Sequence, residues 1–123
     1  MNLNLRGQAV TRVCFDAALT VLTSGDCELR VETEAILQVS AEDHVSFDPE
    51  TPEAATSHLV RLIRDVIAEA EAGRAGELVI EFESGTKLTV LPDEEYEAWG
   101  IVGPNGMRVT CMPGGEIAMW SGE

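Results

Sequence analysis

The chain has 123 residues, 45% of them hydrophobic, with 22 acidic against 8 basic side chains and a formal net charge of −14. This length fits a single domain over 1–123 with one core and no covalent staple, and the apolar share excludes a wholly disordered chain. The charge repels phosphate backbones and anionic lipid, so it argues against nucleic acid or a membrane surface as partner and favours a basic protein.

Residues 8–15 are rich in apolar and β-branched side chains and read as a strand. A second run spans 17–22. Thr23-Ser24-Gly25-Asp26 is turn chemistry, because Gly accepts a left-handed backbone and Ser and Asp bond nearby peptide groups. Glu28-Leu29-Arg30-Val31-Glu32 alternates strictly, the pattern of a half-buried antiparallel strand. Residues 35–39 continue as another strand. Residues 41–52, with two prolines and several acids, read as a loop.

The spacing then predicts an amphipathic helix over about 53–72. Thr51 stands at the N-cap position, Pro52 at the first helical position, and Glu53 complements the helix dipole. Leu59, Leu62, Ile63, Val66, Ile67 and Ala70 recur at steps of three and four, as one apolar stripe would. Arg61 and Asp65 stand four apart, at pairing distance on a helix. Gly73 and Gly76 supply the stop.

Leu78, Ile80 and Phe82 share one face of the next strand, Ser84-Gly85-Thr86 turns, and Leu88 and Val90 align on the return. Residues 96–102 form a strand bearing Trp99. Gly103-Pro104-Asn105-Gly106 is a hairpin signal, residues 107–112 return, Pro113-Gly114-Gly115 turns again, and 116–120 is the last strand. The expected fold class is therefore α+β: a curved, mainly antiparallel sheet of about six to eight strands, built from two β-meanders, with the helix on one face.

One internal similarity bears on organisation. Residues 19–31 and 78–90 each read strand, Ser-Gly turn, then x-Leu-x-Val. An acidic segment ending in Glu-Ala follows each: Glu32-Thr33-Glu34-Ala35 and Glu94-Glu95-Tyr96-Glu97-Ala98. Duplication explains this, and so does shared strand chemistry.

Three cysteines, Cys14, Cys27 and Cys111, with no Cys-x-x-Cys pair, indicate reduced thiols rather than a disulfide framework. Cys14 and Cys111 lie in apolar runs as small hydrophobes, while Cys27, just after a turn, is expected to be the exposed one. Residues 1–7 lack the apolar core of a signal peptide, and no segment approaches 18 apolar residues, so the expected location is the cytoplasm.

No motif calls for a cofactor, a metal or a catalytic residue. Ser24-Gly25 and Ser84-Gly85 lack the Gly-x-Ser-x-Gly elbow and read as turns. His44 and His58 stand at no spacing that pairs them with a thiol. Glu42, Asp43, His44 and Asp48 are metal-ligand types, but without the order of a calcium loop they read as a solvated acidic loop. The candidate partner-binding residues are Asp93, Glu94, Glu95, Tyr96 and Glu97, where carboxylates crowd beside an aromatic ring, and Trp120 near the C-terminal end. Exposed with Ile117 and Met119, Trp120 would make an adhesive edge strand suited to a homodimer.

From Tyr96 onward the chain resembles a small family of uncharacterised actinobacterial proteins. These end in a Trp-x-(Ile/Val)-x-Gly-Pro turn followed by Cys-x-Pro-Gly-Gly-Glu-x-Ala-x-Trp. Here the positions are Trp99, Gly103, Pro104, Cys111, Pro113, Gly114, Gly115, Glu116, Ala118 and Trp120. The resemblance implies no activity. In size, acidity and pattern the chain is also similar to immunity proteins of bacterial toxin systems. The expectation is a non-enzymatic acidic interaction module, immunity-like, that binds a basic protein. The alternatives are a self-associating homodimeric domain and, third, an enzyme with an unrecognised site.

Overall fold

The computed structural model describes residues 1–120 and consists mainly of β-structure. Its strands are β1 (Val10–Asp16), β2 (Ala18–Thr23), β3 (Glu28–Val31), β4 (Ala35–Gln38), β5 (His44–Phe47) and β6 (Ile67–Ala72). They continue with β7 (Leu78–Phe82), β8 (Lys87–Val90), β9 (Trp99–Val102), β10 (Arg108–Cys111) and β11 (Ile117–Trp120). One α-helical turn, α1 (Thr56–Val60), follows a 3-10 turn at Pro52–Ala54.

The strands form two antiparallel sheets, in the orders β1-β2-β3-β9-β10-β11 and β5-β4-β8-β7-β6. The first half of the chain gives the meander β1-β2-β3 to one sheet, then crosses over as the hairpin β4-β5 beside β8. The second half gives the meander β6-β7-β8 to the other sheet, then crosses back as β9-β10-β11 beside β3. Each half thus follows the same path and completes the sheet of the other. The hairpins compared above pair alike, Leu19 with Val31 and Leu78 with Val90.

The alternation seen in the sequence sets which side chains face inward. Leu19, Val21, Leu29, Val31, Trp99, Ile101, Val109 and Cys111 of one sheet meet Leu37, Phe47, Leu78, Ile80, Phe82, Leu88 and Val90 of the other in one core. Two facing sheets of alternating strands bury such rows between them. Trp99 is fully buried, and its Nε1–H donates to the Gly76 carbonyl at 2.9 Å. The Cys111 thiol donates to the same oxygen at 3.3 Å. Gly76 lies in the β6–β7 turn, so these bonds tie the two sheets together.

The N-terminal residues close one side. Leu3 N–H donates to Ala70 O and Ala72 N–H to Met1 O, each at 2.9 Å, while Val10 exchanges bonds with Arg64 and Asp65. The segment therefore pairs along β6 before it becomes β1, and Leu3 and Leu5 enter the core.

The expected helix over about 53–72 is overturned, and with it the α+β architecture. Helix ends at Val60, Arg64 takes a left-handed backbone (φ 78°), and residues 67–72 are strand β6. Leu59 and Leu62 are buried, but Val60 and Ile63 are exposed. The misleading period has a cause. A bulge between Ile67 and Glu69 resets the strand, so Ile67 and Ala70 both face inward three residues apart. That spacing imitates a helical stripe, and Ala and Glu are good helix formers. Hydrogen bonds to β7 on one side and to residues 1–8 on the other decide for the strand.

Smaller corrections follow. Thr51 makes no side-chain cap bond. Asp65 is off any helix and accepts from Val66 N–H and the Ser84 hydroxyl. Cys27 is buried rather than exposed, because the turn before it folds inward and Thr23 Oγ1 accepts from its N–H at 3.2 Å. In that turn the left-handed residue is Asp26 (φ 60°), whereas Gly85 serves in the matching turn (φ 97°). Phe15, at the end of the apolar run 8–15, is 38% exposed on the edge strand β1.

Candidate functional site

Because the halves exchange strands, the β3–β4 and β8–β9 connections cross between the sheets and meet. Glu32, Thr33 and Glu34 come from the first crossover, Asp93, Tyr96 and Glu97 from the second, and Asp48 and Glu50 from the turn after β5. Together they line one open groove of about 880 Å³. Six carboxylates from three separate chain segments thus line one groove together with one aromatic ring.

The groove's walls are held by their own backbones. Asp93 Oδ1 accepts from Glu95 N–H at 2.8 Å and Tyr96 N–H at 3.1 Å, which closes a local turn. The Asp93 carbonyl accepts from Gly114 N–H at 2.8 Å, which anchors that loop to the β10–β11 turn. Asp48 Oδ1 accepts from Glu50 N–H at 2.9 Å. Tyr96 is left 65% exposed. Glu32 lies 3.5 Å from Arg30 Nε, both well exposed, a weak pair in water. Thr33 Oγ1 is buried and, among the described residues, has no hydrogen-bond partner.

The candidate residues separate in space. Asp93, Tyr96 and Glu97 line the groove; Glu94 and Glu95 are exposed on the same loop but are not part of its lining. Trp120 is half exposed at the other end of the six-stranded sheet, in register with Arg108, Val102 and Glu28. Sequence reasoning did not place Glu32, Glu34, Asp48 and Glu50 at this site. The signal was the repeated Glu-x-Glu-Ala, which opens the first crossover and ends the second and has site meaning only once the crossovers are known to meet.

Elsewhere the chemistry is sparse. Among the described residues no three of His, Cys, Asp and Glu cluster as metal ligands, and no helix is long and apolar enough to cross a membrane. Burial pushes the Cys111 thiol above its ordinary range, with a backbone hydrogen bond from Ala98 pulling the other way.

A family model described as a family of unknown function, DUF6188, matches residues 1–121. The chain belongs to that family. The match takes in the whole described fold, both crossovers and every groove residue. No curated protein and no solved structure matches the chain.

Proposed function

We propose that this member of the family is a non-enzymatic interaction module that receives a basic segment of a partner protein in the acidic groove. The observation that carries the reading is that Glu32, Glu34, Asp48, Glu50, Asp93 and Glu97 line one groove together with exposed Tyr96. A Lys or Arg entering there meets carboxylates on several sides and a ring suited to a cation–π contact. The −14 net charge steers such a partner from a distance. An immunity-like role in the cytoplasm of an actinobacterium, against a basic toxin, is the specific form of this proposal. The C-terminal signature around Trp99, Cys111 and Gly115 then belongs to the scaffold that holds the groove.

An arginine-rich peptide labelled for anisotropy is the test. It should bind the full chain with affinity that falls steeply with salt. Glu32→Gln, Glu34→Gln and Glu97→Gln together should weaken it by about tenfold or more, and Tyr96→Ala should weaken it in low and high salt alike. Equal binding by the triple variant would sink the proposal.

A further inference from the structure

A second surface lies at the opposite end of the six-stranded sheet from the acidic groove. Strand β11 is its last strand, and among the described residues nothing pairs with its outer edge. In register, Ile117 lies beside Cys111 and Met119 beside Val109, both core residues, so Ile117 and Met119 share the inward face. Met119 is nevertheless 57% exposed. Trp120, on the outward face, is 51% exposed.

Edge strands are normally guarded by charge, proline or a bulge. Strand β1 carries Arg12, Asp16 and a register break, β5 begins at His44 with Asp43 before it, and β6 is covered by residues 1–8. Strand β11 reads Ile-Ala-Met-Trp, with an unbroken register and no charge, proline or bulge within the strand, although exposed Glu116 precedes it as Asp43 precedes β5. Beneath it runs a mainly apolar groove of about 360 Å³ walled by Met1, Leu3, Leu5, Met107, Val109 and Met119, with Asn2, Asn4 and Gln8 as its polar members. No Asp, Glu, Lys or Arg lines that groove, in a chain with 22 acids.

We infer that β11 is the interface of a twofold homodimer, in which two copies join their six-stranded sheets edge to edge. Charge selects this occupant. Two chains of −14 repel wherever their acids face, and the inward side of this edge, with no Asp, Glu, Lys or Arg in its groove, lets them approach with less of that cost. Antiparallel pairing also makes the edge its own complement. With the dyad at Ala118, half-buried Ile117 of each copy falls opposite exposed Met119 of the other and covers it. The groove for a basic partner stays open at the far end of each copy.

Light scattering on the full chain tests this. The expected mass is twice 13.3 kDa, with the dimer fraction rising as salt screens the mutual repulsion. That is the opposite salt response to binding of an arginine-rich peptide. Met119→Lys and Trp120→Lys, at exposed positions, should each return 13.3 kDa with the chain still folded and a melting temperature that no longer depends on protein concentration. The Glu32, Glu34 and Glu97 glutamine variant should keep the dimer mass, which separates this inference from the groove reading. A wild-type mass of 13.3 kDa across the salt range, dimers that survive both lysine substitutions, or a dimer lost in the groove variant would each overturn it.

Discussion

Gly76 and Gly115 meet backbone to backbone where the β6–β7 turn of one sheet lies on the β10–β11 turn of the other. A Cβ on Gly76 would strike the Gly115 carbonyl, and a Cβ on Gly115 would strike the Ala75 carbonyl. Both also hold left-handed φ, 94° and 96°. Gly114 shares that torsion (φ 87°) but has open space around it. Gly115→Ala should therefore cost about 3 kcal/mol, combining torsional strain with overpacking, and Gly114→Ala only about 1 kcal/mol. Urea midpoints of the two variants check the order. Equal losses would show that the close approach contributes nothing beyond the torsion.

Strand β6 offers a sharper contrast. Ile63 and Ile67 stand four apart, and a helical stripe would bury both. In this fold Ile67 is 2% exposed and Ile63 is 39% exposed. Ile67→Ala should cost about 2–5 kcal/mol as a core truncation, and Ile63→Ala about 1 kcal/mol or less. Denaturant unfolding of both variants, read against wild type, decides it; comparable losses would favour a helix.

How legible the fold was depended on where its information lies. Strict alternation, as in Glu28–Val31 and Leu78–Phe82, is local, and those strands could be read directly. So could the Asn105 turn, where φ reaches 62°. The bulge at Ile67 is not local, because it takes meaning only from pairing with β7 and with the N-terminal segment. The groove divides the same way. Asp93, Tyr96 and Glu97 announce themselves by density of charge, but Glu32 and Asp48 join them only through strand exchange between the halves. Exchange of that kind leaves a repeat in the sequence and no record of which strands pair.

Cys111 predicts a pH response with a definite sign. Burial raises the pKa of its thiol in the folded state above the ordinary 9.0. Below that ordinary value both states carry the proton, and the stability is fully present. As pH rises past it, the unfolded chain releases its proton first, so stability falls until the folded thiol also ionises. Cys111→Ala should flatten the alkaline limb of the stability profile attributable to this group, at some cost from the lost volume. The same burial protects the thiol chemically. A thiol reagent should modify the half-buried Cys14 first in the native chain, and Cys27 and Cys111 only on unfolding.

Thr33 tests the floor of the acidic groove. Its Oγ1 is shielded from solvent and finds no partner among the described residues, so it bears the desolvation penalty of an unmade hydrogen bond. Thr33→Val keeps the shape and removes that penalty, and should stabilise the chain by about 1 kcal/mol. Valine also suits an extended crossover as well as threonine does. The measurement is the unfolding midpoint of the free chain, with no partner present. If the variant is instead destabilised by a similar amount, the hydroxyl is satisfied in solution, and the crossover carrying Glu32 and Glu34 sits differently from the arrangement on which the groove depends.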